Sequence, residues 1–402
     1  MEQRRPAEVD SPRAWITVLA AFASCFTLFG VAYSFGAFFR PMGTEFRASR
    51  VSTSAVFSIT AGIYNALGAP AGYLSDRYGP RPVLLASAFF MGTGLILTSR
   101  IDHLWMGYLT YGLGVGLGGA CCYVPMVSAV GGWFARRRNT ALGIAVAGIG
   151  CGTLAVAPVA AALIERYGWR ETYVILGVAS AIILVICALL TERPPIHLQA
   201  ARLRLSAAVR TPNFAMLWSS SLFSSIAIYV PYVYLPEFAH DQGASRVAAA
   251  TLVGIIGAAS VVARMGLGTL ADRMGVVWLY KLCALTLGLS YAVWIVTSGY
   301  GWLVVFALTM GAAYGGLFAI APAVVAELFG VRSMGAVLGT LYTSSAISAL
   351  VGPPLAGLVI DLSGSYRWAA AFAGCAAVAG FFIIRPLRGT EPAGLTSLAE
   401  AD

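Results

Sequence analysis

Gly72–Gly79 reads GYLSDRYG, and Gly268–Gly275, 196 residues later, reads GTLADRMG. Both place a leucine two residues after the first glycine, then a small residue, then Asp-Arg and a closing glycine. Each sits where a long apolar run gives out. The same offset carries Arg136 to Arg332, Gly143 to Gly339, Pro158 to Pro354 and Glu165 to Asp361. Several matches at one offset describe a chain built twice over, with both halves running in the same direction.

The medium in which it is built follows from composition. Of 402 residues, 59% are hydrophobic and only 11% charged, where a soluble domain carries about 25% charge. Apolar runs of roughly 20 residues recur throughout, each long enough to cross a hydrocarbon core of ~30 Å. A soluble protein of this composition would expose far too much apolar surface. The run after Trp15 is too long for the core of a signal peptide and reads as the first membrane helix. Hydropathy and loop signals predict twelve spans, from 15–39 to 367–385. The longest polar connection contains TERPPIHLQAARLRLS. It divides the chain into a six-helix half at 1–191, a linker at 192–212, a second six-helix half at 213–388 and a tail at 389–402. The expectation is an all-α membrane protein with two pseudo-symmetric halves, the parallel repeat found in carriers that work around a midplane site.

Basic residues orient it. With both termini in the cytoplasm, 17 of the 26 Lys and Arg fall on the cytoplasmic side and 8 outside, as the positive-inside bias requires. The net charge of +9 is thereby read as topology facing an anionic leaflet, not as nucleic-acid binding. The seven cysteines lie in apolar segments without metal-ligand spacing and read as packing residues. Gly112–Gly119, GLGVGLGG, has dinucleotide-like glycines but no preceding strand, so it reads as helix packing. No cofactor, no metal and no catalytic constellation is expected.

The Asp-Arg loops between spans two and three and between eight and nine resemble the loop signature of the major facilitator superfamily. Glycines there allow close helix approach, and an aspartate near a helix end can pair with arginines. The resemblance implies an inner gate, with Asp76, Arg77 and Arg81 in the first half and Asp272 and Arg273 in the second. Trp133–Thr153, WFARRRNTALGIAVAGIGCGT, resembles the fifth-helix signature of the monocarboxylate transporters. Its Gly143, Ala147, Gly148 and Gly152 suit a tight, moving interface. The first-helix signature of the animal members is missing, which is the pattern expected of a bacterial branch, in a cytoplasmic membrane.

One cation remains after the loops are assigned: Arg264, in ASVVARMGLGTLADRMG (Ala259–Gly275). It precedes Asp272 by eight residues, ~12 Å along a helix, near mid-membrane. A charge there costs at least ~2.5–3.5 kcal/mol, and no acidic residue lies at an obvious matching depth. It also matches the eighth-helix arginine that, in the monocarboxylate transporters and the related oxalate–formate exchangers, binds the carboxylate. A guanidinium suits a carboxylate because it donates two parallel hydrogen bonds. The exchangers carry a further lysine in helix eleven, and here the single lysine is Lys281, at the start of span nine. One fixed charge matches a small monocarboxylate of lactate or pyruvate size. Depth adds Tyr123, and Tyr314 and Phe318 four residues apart on one helix face. Leu28, Ser344 and Ser345 are further candidates.

The resemblance implies proton-coupled symport. The relay positions of the animal members fall on Tyr33 and Ser260 here, neither a titratable partner, which leaves Glu237 as a peripheral carboxylate. An oxalate–formate type of anion exchange, or a sensor built on a carrier fold, stand as alternatives.

Overall fold

A backbone in hydrocarbon must satisfy its own N–H and C=O groups, and every long apolar stretch is accordingly a helix in the computed structural model, which describes residues 9, 11–134, 136–195, 209–296, 299–329 and 334–387. Ten helices among them are long and apolar enough to cross a membrane. One, Thr140–Leu190, is two rods joined at Gly168. The 29-residue Arg50–Tyr78 is a further, more polar rod. Twelve rods result. They are α1 (Pro12–Glu45, interrupted at Ser34), α2 (Arg50–Tyr78), α3 (Pro80–Thr98), α4 (Leu104–Trp133), α5 (138–167) and α6 (169–190). After residues 196–208 come α7 (Pro212–Asp241), α8 (Arg246–Met274), α9 (Val276–Val296), α10 (Tyr300–Phe329), α11 (Met334–Ser363) and α12 (Tyr366–Ile384).

Polar residues start these rods. The side chains of Ser49, Thr211 and Ser365 accept from Ser52 N, Phe214 N and Arg367 N, each satisfying a free helix N–H. Pro80 and Pro212 stand in first helical turns, where a missing N–H costs nothing.

The repeat is written in the backbone. Six described residues have positive φ, and they form three pairs at the same offset of 196: Arg47 (49°) with Gly243 (92°), Gly79 (93°) with Gly275 (85°), and Gly168 (83°) with Gly364 (69°). Gly79 and Gly275 are the closing glycines of the two Asp-Arg loops. The turn from α2 into α3 reverses the chain in a single residue, a conformation that costs glycine little and other residues more.

The two helix groups meet along α5 with α8 and α2 with α11. A Cβ at Gly150 on α5 would collide with the Gly257 carbonyl on α8, and one at Gly62 on α2 with Leu350 on α11. The first is a close backbone approach of the small-residue kind, and in the second the glycine makes room for a leucine side chain. At the Arg40 end the groups are also joined by charge. Arg40 on α1 donates to Asp241 on α7 (3.0 Å), and Arg50 on α2 to Asp361 on α11 (3.0 Å). The Arg50 guanidinium lies 5.5 Å from the Tyr366 ring. Towards the Asp76 end the contrast is plain: among the described residues, a Cβ at Gly143, two turns along α5 from Gly150, would meet nothing within 4 Å, and the same holds for its repeat partner Gly339 on α11.

Candidate functional site

Between these ends lies a cavity of about 80 Å³, where one water needs roughly 10–15 Å³. Rods from both groups line it: Phe29 and Tyr33 on α1, Tyr64 and Asn65 on α2, Tyr123 on α4 and Ile149 on α5 face Tyr229 on α7, Arg264 on α8, Tyr314 and Phe318 on α10 and Tyr342 on α11.

Helix interruptions shape it. α1 breaks at Ser34, whose hydroxyl bonds back to Val31 O (2.8 Å), directly after Tyr33. α4 turns at Cys121–Cys122 and restarts at Tyr123, with Pro125 two residues on. Broken helices are tolerated at membrane depth where they are buried in protein or line a cavity.

The charge in the cavity is Arg264. Its Nε is buried and has no hydrogen-bond partner among the described residues. Its guanidinium carbon stands 5.4 Å from the centroid of the Tyr314 ring, a cation–π contact worth ~0.5–2 kcal/mol. Tyr314 packs edge-on against Phe318 (5.2 Å), which stacks on Tyr342 (6.0 Å). Opposite, Phe29 packs edge-on against both Tyr123 (5.3 Å) and Tyr64 (5.9 Å). On the Arg40 side the Tyr33 ring stacks on Tyr232 of α7 at 3.9 Å, across the two groups. The chemistry offered is one cation with free donors, a ring of phenols and an apolar floor, the equipment for holding a small organic anion.

The family profile described as Major Facilitator Superfamily matches residues 18–275 and 217–401. The chain belongs to that superfamily. Curated relatives place it further, in its monocarboxylate transporter family. Monocarboxylate transporter 3 of Rattus norvegicus is 32% identical over 380 residues, covering 89% of this chain and 76% of the relative. Monocarboxylate transporter 13 of Bos taurus is 29% identical over 379 residues, covering 92% and 88%. Among solved structures, an inward-facing, occupied bacterial homolog of the human lysosomal transporter Spinster superposes with a TM-score of 0.74 at 17% identity, covering 96% of this chain and 100% of that one. A D-xylose–proton symporter does so with 0.72 at 13%, covering 92% and 97%. At these identities the structures bear out the fold. This superfamily member is an all-α membrane transporter and not an enzyme.

The cavity brings together Arg264, Tyr123, Tyr314 and Phe318, all expected from sequence, and adds Tyr33. It does not bring in Leu28, Ser344 or Ser345. Leu28 is fully buried against Gly119 of α4. Ser344 donates to Ser221 (2.9 Å) and Ser345 bonds Ser225 (3.1 Å), so both bolt α11 to α7. Their depth is right, but they sit on another face of the rod. Ser260 is sealed in the seam between α8 and α10, where a Cβ on Gly315 would strike its backbone. Glu237 belongs to a separate pocket at the Arg40 end with Arg40, His240 and Arg246. Of the expected gate residues, Arg77 lies over the Tyr78 ring (5.3 Å) and its carbonyl accepts from Arg193 (3.2 Å). Asp76 and Arg81 are exposed, and the side chains of Asp272 and Arg273 lie outside the described residues. Lys281 donates to the carbonyls of Arg385 and Leu387, which ties α9 to α12.

Sequence reasoning missed Asn65, Tyr64, Tyr229 and Tyr342. Asn65 had a signal: an amide inside an apolar span, 11 residues from Asp76, ~16 Å along the helix and so about one turn deeper than Arg264. Polar groups at that depth are expensive and usually functional.

Proposed function

We propose that this chain carries small monocarboxylates of lactate or pyruvate size across the membrane by alternating access, with the carboxylate held on Arg264. The buried, unpartnered Nε of Arg264 carries the reading. A cation at this depth costs more than the Tyr314 ring returns. A carboxylate supplies both the missing charge and two acceptors for the guanidinium. The names of the relatives agree with that chemistry. The phenols of Tyr123 and Tyr314 are the polar side of the site and Phe318 covers the alkyl part.

The Lys and Arg distribution supports both termini in the cytoplasm, the missing first-helix signature of the animal members supports a bacterial cytoplasmic membrane, and the repeat supports two working halves at 1–191 and 213–388. In that orientation the ion-paired Arg40 end faces outward and the cavity belongs to an inward-facing arrangement. Asp76, Arg77, Arg81, Asp272 and Arg273 then form the inner gate when the Asp76 end closes.

Symport of one proton with the anion leaves the loaded carrier neutral. Tyr33 and Ser260 supply neither the lysine nor the aspartate of the relay, so the proton travels on the substrate or through Glu237. One observation favours a second reading: among the described residues lining the cavity there is no Asp, Glu or His, and anion exchange needs none.

The test is uptake of radiolabelled L-lactate into proteoliposomes. Stimulation by an inward proton gradient identifies symport. Stimulation by internal acid alone, at any external pH, identifies exchange. Arg264→Ala is expected to cut uptake more than about 100-fold while raising the thermal midpoint of the substrate-free protein, because an uncompensated cation has been removed. Wild-type rates in that variant would sink the reading.

A further inference from the structure

Asn65 is held on two sides. Its amide nitrogen donates to the Ala61 carbonyl one turn back on α2 (2.8 Å) and to the Tyr229 hydroxyl on α7 (3.0 Å). A backbone carbonyl only accepts, so the NH2 group must face it, and the orientation of the amide is thereby settled. Both N–H donors are used. Beyond the side-chain contact with the adjacent Tyr64, the amide oxygen has no further partner among the described residues, and Asn65 lines the cavity that contains Arg264. The cavity therefore offers a cation on the second helix group and a fixed, neutral acceptor on the first.

We infer that Asn65 reads the 2-hydroxyl of the transported acid: the carboxylate rests on Arg264 while the hydroxyl donates to the Asn65 amide oxygen. This rests on the carboxylate reading of Arg264 and adds the substrate class, 2-hydroxy monocarboxylates. The physical reason is selective pairing. A hydroxyl has a proton to give to an acceptor, a 2-oxo group has none, and an unsubstituted acid leaves the oxygen unpaired, which a desolvated site penalises. Tyr229 acts as the positioning residue, since its hydroxyl anchors the amide.

The assignment also concerns turnover. Arg264 lies on α8 and Asn65 on α2, so a ligand with both groups adds one more polar contact across the two helix groups to those its carboxylate makes. A ligand shifts a conformational equilibrium only by its differential affinity for the two states. A 2-hydroxy acid that also reaches Asn65 favours the occupied, closing form more strongly, while an acid without the hydroxyl binds with a weaker pull. The preference accordingly resides in maximal velocity as well as in KM.

The experiment measures uptake of radiolabelled L-lactate and propionate by the full chain in proteoliposomes, for wild type, Asn65→Leu and Tyr229→Phe. The readout is the lactate-to-propionate ratio, in which a loss of folded protein cancels because it scales both acids together. Wild type is expected to prefer lactate, Asn65→Leu to lower the ratio roughly tenfold, and Tyr229→Phe to lower it less, since the acceptor remains but loses its anchor. Two outcomes overturn the inference and leave the monocarboxylate reading standing: a wild-type ratio near one, or an Asn65→Leu variant that loses both acids in proportion. Wild-type protein that takes up neither acid, nor any other monocarboxylate, overturns that reading and the inference with it.

Discussion

The two ends of the bundle are built to different standards. At the Arg40 end the helix groups are locked by Arg40–Asp241 and Arg50–Asp361, by the Tyr33–Tyr232 stack and by Tyr234 donating to the Pro353 carbonyl at 2.9 Å. At the Asp76 end, Gly143 and Gly339 would each accept a Cβ without meeting any described residue within 4 Å. The contrast is sharpest within single helices. Gly150 of α5 is pressed against α8, and Gly143, seven residues earlier, faces open space. A repeat that builds both halves alike therefore adopts one asymmetric arrangement, and a carrier needs that asymmetry to reverse.

Substitution within α5 gives the largest expected effect. Gly150→Leu must displace the α8 backbone, and overpacking of this kind costs ~1–3 kcal/mol, so the thermal midpoint and uptake should fall together. Gly143→Leu should leave the midpoint within about 0.5 kcal/mol of wild type, yet slow turnover, because closing the Asp76 end needs the space that the leucine fills. If Gly143→Leu transports at the wild-type rate, the Asp76 end does not close through α5.

The ion pairs come next. Each is partly exposed and worth ~0.2–1 kcal/mol, so Arg40→Ala with Arg50→Ala should shift the balance towards an open Arg40 end by about two- to thirtyfold. Spin labels at the exposed Arg47 and Ser363 would report this as a growing long-distance population. An unchanged distance distribution would mean that the aromatic stack and the seams hold this end alone. High salt should move the wild type in the same direction, since exposed pairs are screened.

The smallest effect tests the repeat itself. Arg47 adopts φ 49° where its partner in the second half, Gly243, is a glycine. Arg47→Gly relieves a left-handed strain but adds freedom to the unfolded chain. A gain of about 1 °C in the thermal midpoint is expected, and a loss would show that the arginine side chain contributes more than its backbone costs.

Much of this architecture was legible in one dimension. The Asp-Arg loops at offset 196 reappear as paired left-handed turns at Gly79 and Gly275, because the closing glycine is a local backbone requirement. The depth of Arg264, Tyr123, Tyr314 and Phe318 could be counted at ~1.5 Å per residue, and all four meet in the cavity. Depth without rotation misled elsewhere. Ser344 and Ser345 lie on the rod expected to line the site, but they are turned to α7, where Ser221 and Ser225 satisfy their hydroxyls. Leu28 faces the small surface of Gly119 rather than the cavity.

By itself the sequence determined what each rod is and how deep each residue lies: apolar length sets the spans, the basic residues bias their direction, and counting places a lone arginine at mid-depth. Only the tertiary structure decided which faces meet. The bond from Asn65 to Tyr229 joins residues 164 apart, and the choice of the Arg40 end as the closed one depends on ion pairs between α1, α2, α7 and α11. The reason is geometric. Position along a helix is set by counting, whereas its rotation and crossing are set by the packing of all its neighbours at once.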